Sequence, residues 1–159
     1  MAILDTLEHA MDARSMPGSL PTHYRYTAGV AGQKFLTALR DEGQLLGSHC
    51  AKCNYTYVPG RMYCERCFAA LPESAWRKVG PGGTLASFTV VHVDLDGNPL
   101  DTPRTLGLIR LDGAGGTLVH DLGELGARAP RAGMRVTAVL KPKAERTGSI
   151  LDIRYFRPE

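Results

Sequence analysis

The sequence predicts a mainly β protein with a short helical N-terminal part, on three observations. An i, i+1, i+4 apolar pattern is confined to residues 33–42; four cysteines fall within eighteen consecutive positions; and five β-patterned segments separated by glycine-, asparagine- and proline-rich turns follow residue 83. At 159 residues, 43% hydrophobic and 22% charged, the chain has the composition of one ordinary domain or two small ones and is neither disordered nor a membrane span. Its longest uncharged apolar stretch, 85–93, already contains Ser87, Thr89 and His92, far short of the roughly 20 apolar residues a bilayer demands. Asp5, Glu8 and Asp12 stand where a secretory signal needs basic residues and then an apolar run, so the reading places the protein in the cytoplasm. A net charge of +3 is too small to argue by itself for a polyanion partner.

Taken in order, residues 1–32 read as an N-terminal arm. Leu4, Leu7 and Met11 share one face of a short helix before Pro17, Gly18 and Pro21 break it. Residues 33–76 form a helix plus a metal-binding module. Phe35, Leu36 and Leu39 mark a helix over 33–42 that packs on the module, and Gly43 sits where a left-handed cap ends it. Residues 77–159 form a β domain. Its extended lead-in is Ala75–Val79, turned by Gly80, Pro81, Gly82 and Gly83. Strands follow at Thr84–Leu95, Arg104–Leu111, Thr117–Asp121, Arg135–Leu140 and Ile150–Phe156. The turns between them include Asp96-Gly97-Asn98-Pro99 and the glycine cluster at 113–116. Five short strands with one longer connection, Leu122–Gly133, between the third and fourth match a five-stranded OB-fold barrel best among small closed sheets.

Cys50-Ala51-Lys52-Cys53 and Cys64-Glu65-Arg66-Cys67 are two C-x-x-C pairs ten residues apart, the arrangement of a rubredoxin-like zinc ribbon. Two residues between thiolates let one tight turn aim both sulfurs at one ion, so each pair supplies half a tetrahedron. Four thiolates close the shell, which predicts structural rather than catalytic Zn2+. A rubredoxin-like iron centre and two disulfides are the competing readings, the latter disfavoured in a reducing compartment. Asn54 follows the first pair, where a residue tolerant of positive φ is useful, whereas Phe68 follows the second, where glycine is more usual. The second knuckle is therefore expected to be less regular. His49 adjoins a ligand and is read as solvent-facing or supporting, since four sulfurs suffice. Tyr24, Tyr26, Tyr55, Tyr57 and Tyr63 are read first as an aromatic shell for the module and second as a partner surface.

No catalytic residue is assigned. All cysteines are committed to metal, no serine lies in a nucleophile elbow, and the glycines at 80–83 and 113–116 lack the order of a phosphate cradle. His92 and His120 are read as core or surface histidines. Lys141, Lys143, Arg146, Arg154 and Arg157 gather on the last two strands, either as a solvated face or toward phosphates.

This order of helix, ribbon and barrel resembles the acyl-CoA-associated family of zinc-ribbon/OB-fold proteins, long catalogued as a domain of unknown function. The resemblance runs from about Gln33 to Phe156. It rests on Phe35–Leu39, Gly43-Gln44-Leu45, Cys50-x-x-Cys53, Pro59-Gly60-Arg61, Cys64-x-x-Cys67, Gly80-x-Gly82-x-Thr84, Ser87–His92 and Gly133-Met134-Arg135-Val136. Pro59-Gly60-Arg61 departs from the family's more usual Pro-Pro-Arg, and Phe68 from its glycine. The resemblance implies a non-catalytic accessory subunit in a hetero-oligomer with a thiolase-fold enzyme, which supplies the catalytic cysteine and binds most of the CoA or acyl-CoA. It further implies action on a bulky aromatic or sterol-derived acyl-CoA; the long arm is similar to those paired with aromatic-pathway thiolases of the benzoylsuccinyl-CoA type. Lys141, Lys143 and Arg154 are the candidate contacts to CoA phosphates. The alternative class is a single-stranded nucleic-acid-binding ribbon/OB module. Against it, Arg104–Leu111 and Thr117–Asp121 hold no Phe, Tyr or Trp on which bases could stack.

Overall fold

The structure is a computed structural model that describes residues 26–126 and 129–159. The apolar pattern of Leu4, Leu7 and Met11, the breakers at 17–21 and Tyr24 lie outside the described residues. Helix α1, Gly29–Glu42, buries Phe35, Ala38 and Leu39 on one face, the i, i+3, i+4 stripe that holds a helix against a core. It starts four residues ahead of Gln33 because its first turn is exposed and so carries no apolar period to reveal it. Gly43 adopts φ 68, its N–H donates to Leu39 O at 3.1 Å, and the Gln44 N–H donates to Ala38 O at 3.2 Å. These bonds satisfy carbonyls that a helix end otherwise leaves open.

The ribbon is a three-stranded antiparallel sheet ordered β2-β1-β3, with β1 at Leu45–Cys50, β2 at Tyr55–Tyr57 and β3 at Trp76–Val79. Cys50 pairs with Tyr55 across the first knuckle, and Leu45 pairs with Val79 at the far end. The extended lead-in expected at 75–79 is thus the third strand of the ribbon sheet.

The remaining strands are β4 Gly82–Val93, β5 Pro99–Leu111, β6 Leu118–Leu122, β7 Arg135–Leu140 and β8 Ile153–Pro158. They close into a barrel ordered β4-β5-β6-β8-β7, with β7 returning to β4 and β6 meeting β8 in parallel at Leu122 opposite Phe156. This is the expected five-stranded OB-like barrel. Leu85, Ile109, Leu111, Leu122, Val136, Ile153 and Phe156 fill it, and Phe35, Leu39, Leu45 and Val79 continue the same core into α1 and the ribbon. The helix therefore packs on barrel and ribbon together. No helix among the described residues is long and apolar enough to cross a membrane.

Two further segments, both in the barrel, differ from the sequence expectation. Strand β5 begins at Pro99 rather than Arg104: over 99–104 it pairs with β4 alone, and an edge tolerates Pro99 and Pro103 where a central strand would not. Residues Ile150–Asp152 form a 3-10 turn rather than the start of the last strand. The buried Asp152 carboxylate accepts the N–H groups of Thr147, Gly148 and Ser149 at 3.0, 2.8 and 3.2 Å, and the Ser149 Oγ accepts from Leu151 N. This capping box bends the chain out of extension.

Candidate metal centre

Two knuckles build the site. The first runs from the end of β1 through Cys53 and reverses at Asn54, which takes φ 47 as expected. In the second, the Cys64 N–H donates to Ala69 O at 2.9 Å, the Phe68 N–H donates to Cys64 O at 2.8 Å, and Tyr63 bridges Ala70. Phe68 itself takes φ 57, so the second knuckle makes the same left-handed turn as the first, with a bulky residue in the strained position. The irregularity expected there is absent from the fold and appears instead as strain.

The Sγ atoms of Cys50, Cys53, Cys64 and Cys67 all lie within 4.8 Å of one another. Cys50 and Cys67 are 3.6 Å apart and Cys53 and Cys64 are 3.8 Å apart, close to the edge of about 3.8 Å that a tetrahedron with Zn–S bonds of about 2.3 Å would have. Cys50 and Cys64 are 1% and 0% exposed, whereas Cys53 and Cys67 are half-buried. Crowding against the Cys67 sulfur, followed by burial, pushes the Cys53 thiol up to about 12. Four sulfurs this close need a cation to share them as anions, and an all-thiolate tetrahedral donor set suits zinc.

Tyr57 supplies a further polar group. Its hydroxyl lies 3.2 Å from Cys64 Sγ with both side chains buried, and toward a Cys64 thiolate, which has no proton to give, the hydroxyl is the donor. The Tyr57 hydroxyl, against the opposing effect of burial and with help from the N–H groups of Cys67 and Arg66, holds the Cys64 thiol down at about 6. Around it the Tyr55 and Tyr57 rings meet at 4.8 Å between centroids. The Arg66 guanidinium sits 3.9 Å from the Tyr55 ring centre and that of Arg61 sits 5.4 Å from the Tyr57 ring centre. Their positive charge offsets the excess negative charge of four thiolates around a divalent ion.

Only part of the expected aromatic shell forms. Tyr55 and Tyr57 pack at the site, but Tyr26 and Tyr63 face solvent. His49 holds Thr56 instead of entering the sulfur cluster, with its Nδ1 3.1 Å from Thr56 Oγ1. His120 is a core residue whose Nδ1 accepts the Asp121 N–H at 2.9 Å and whose ring meets Phe156 edge-on. His92 is exposed. The role of Tyr57 was not legible: the sequence shows an aromatic near the cysteines but not where its hydroxyl ends.

Lys141, Lys143 and Arg154 share the end of the barrel where β7 leads into β8, with Leu140 opposite Ile153 and the Lys141 N–H on Asp152 O at 2.8 Å. Arg154 lines an open depression of about 390 Å³ with Arg104, Asp121 and Tyr155. Arg146 and Arg157 are already engaged, by Lys141 O at 2.8 Å and Glu124 at 3.2 Å.

A ribbon with converging cysteines, fused through one core to a closed five-stranded barrel, defines a zinc-ribbon/OB-fold protein. The chain belongs to the ChsH2 (DUF35) family: the model described as "ChsH2, rubredoxin-like zinc ribbon domain" matches residues 37–73 and "ChsH2, C-terminal OB-fold domain" matches residues 76–141. Among solved structures it is similar to a DUF35-family protein of unknown function from Sulfolobus solfataricus. There the TM-score is 0.62 at 24% identity over 82% of this chain and 87% of that one. It is also similar to an Ltp2-ChsH2(DUF35) aldolase, at TM-score 0.57 and 19% identity over 84% of this chain and 98% of that one. At these identities the two structures show a common fold. Comparison with curated proteins returns no match.

Proposed function

We propose that this chain is a non-catalytic, zinc-containing accessory subunit of a thiolase-fold acyl-CoA enzyme. It stabilises its partner and shapes acyl-CoA access during breakdown of a bulky aromatic or sterol-derived acyl-CoA. The observation that carries this reading is the convergence of all four cysteine sulfurs on one closed site, which leaves the chain without a thiol nucleophile of its own. Cys50, Cys53, Cys64 and Cys67 would hold the zinc, whose chemistry there is to lock the ribbon's fold.

The surface also suits a subunit. The β4–β5 hairpin extends past the barrel, and Val91, Val93, Leu95, Leu100 and Leu106, together with Asp94 and Arg104, line a mostly apolar depression of about 260 Å³ on it. Apolar surface of this kind marks protein contacts. The family relative named as an Ltp2-ChsH2(DUF35) aldolase supports a two-chain assembly. An aldolase and a thiolase share cleavage of a carbon–carbon bond β to a carbonyl, so partner chemistry of this class is consistent with either name. Lys141, Lys143 and Arg154 would meet CoA phosphates at the barrel end, completing a site held mainly by the partner.

The test is co-expression with the catalytic subunit encoded beside this chain. Co-elution, together with loss of acyl-CoA cleavage or of enzyme stability when this chain is withheld, is the expected result. Separate elution with full activity of the neighbour alone overturns the reading.

A further inference from the structure

The β4–β5 hairpin leaves two strand edges open, and they are unlike. Strand β4 pairs with β5 from Gly83 to Val93, but on its other side β7 meets only Gly82, Gly83 and Thr84. Leu85 adds the last bonds there, its N–H donating to Met134 O at 2.9 Å and its carbonyl accepting the Gly133 N–H at 2.8 Å. Among the described residues no strand pairs with 86–93 on that side. The opposite edge, β5 over 99–104, is blunted by Pro99 and Pro103, which lack the N–H a ladder needs, and by the charges of Asp101 and Arg104. Residues 86–93 hold no proline, lysine, arginine, aspartate or glutamate. They run Ala-Ser-Phe-Thr-Val-Val-His-Val, and Phe88 and Val90 are 39% and 40% exposed. An open edge of β-forming residues, with nothing to blunt it, is a template for a further strand.

We propose that this edge pairs antiparallel with the same edge of a second copy about a two-fold axis at Thr89, joining two barrels through one continuous sheet. The occupant follows from the edge's own sequence. The β4–β5 register shifts between Leu85 and Ser87 and again between Val91 and Val93, so the regular stretch is 87–91 and Thr89 is its midpoint. Two-fold pairing there sets Thr89 against Thr89, Phe88 against Val90 and Ser87 against Val91. Opposed residues share a face in an antiparallel pair, so the exposed Phe88 and Val90 of one copy meet Val90 and Phe88 of the other. Thr–Thr and aromatic–β-branched pairs are among those that stabilise neighbouring strands. No charge meets its like, and His92, the one titratable group of the edge, falls opposite Ala86. The edge is thus self-complementary, as an isologous contact must be, and it carries no charged side chain that would select a different chain. The proposal does not depend on the accessory-subunit reading.

The experiment follows association of the full-length, zinc-loaded chain by sedimentation equilibrium, comparing wild type with Thr89→Lys and Thr89→Glu, each checked for zinc content and thermal melting. The wild type is expected to form a dimer that dissociates on dilution. Lysine against lysine, or glutamate against glutamate, at the axis is expected to raise the dimer dissociation constant about tenfold. An equal mixture of the two variants, which sets lysine against glutamate, is expected to recover a mixed dimer within about threefold of wild type; a variant that had merely lost its fold could not recover. A wild type that stays monomeric, variants as dimeric as wild type, or a mixture that stays monomeric each overturns the self-pairing. A monomeric wild type that binds the co-expressed catalytic subunit, with Thr89→Lys weakening that binding about tenfold, would give the edge to a strand of that subunit and overturn the self-pairing as well. The accessory-subunit reading stands or falls separately, on co-elution.

Discussion

The ring of Tyr55 in the ribbon lies against the backbone of Gly115 in the barrel, so close that a Cβ on residue 115 would sit 2.5 Å from Tyr55 Cε2. The Gly115 N–H donates to Thr56 O at 2.9 Å in the same place. This contact fastens the β5–β6 turn onto β2. Gly115→Ala is expected to destabilise the protein by about 1–3 kcal/mol through overpacking, measured by urea unfolding, with zinc content unchanged. An unaltered midpoint would show that the junction yields freely.

Tyr57 is expected to govern zinc retention through its bond to Cys64. Tyr57→Phe keeps the ring in the buried cluster with Cys50, Cys64 and Leu71 but removes the donor. Zinc affinity measured by chelator competition should fall by about 10- to 100-fold, as for other supporting groups of metal ligands. In the cobalt-substituted protein the sulfur-to-metal charge-transfer band should shift as well, which a loss of packing alone would not produce. An unshifted band with unchanged affinity would rule out this role.

Removal of zinc with a chelator should unfold residues 44–76 and spare the barrel. The ribbon's own buried cluster is Cys50, Tyr57, Cys64 and Leu71, too few apolar side chains to hold a fold without the metal. The barrel interior needs no ligand. Hydrogen exchange should therefore lose protection in β1 and β2 while β5, β7 and β8 keep theirs; uniform loss would mean that ribbon and barrel unfold as one.

Acid should weaken the fold partly through Asp152. Burial pushes its carboxyl up, and the N–H groups of Thr147, Gly148 and Ser149 together outweigh that effect, so it ionises below the usual carboxylate range. A folded pKa below the unfolded value of about 3.9 means that the unfolded chain takes up the proton first. The stabilisation is thus complete above the unfolded pKa and drains as pH falls through the folded one. Asp152→Asn should cost about 1–3 kcal/mol at neutral pH, since buried donors lose an anionic acceptor, and should flatten the stability loss that sets in as pH falls below the unfolded carboxyl value of about 3.9. Equal acid slopes in the two proteins would assign the sensitivity to other carboxylates.

Much of the architecture was legible because its causes are local. The stripe of Phe35, Leu36 and Leu39, the cap at Gly43 and β7 at Arg135–Leu140 follow from periodicity and turn chemistry read within a dozen residues. Where expectation and structure part, the reason is a partner far along the chain. Pro99–Arg104 is a strand only because β4 runs beyond the barrel to pair with it. Ile150–Asp152 turns because the Asp152 carboxylate gathers the N–H groups of the loop before it.

The amino-acid order alone determined the metal-binding class, because C-x-x-C spacing fixes how two sulfurs can meet one ion whatever surrounds them. The tertiary structure alone decided which tyrosine bonds a thiolate, which glycine receives a ring, and that the bulky residue of the second knuckle projects into solvent at φ 57. Those relationships depend on how ribbon, helix and barrel pack in three dimensions, and no short stretch of sequence encodes them.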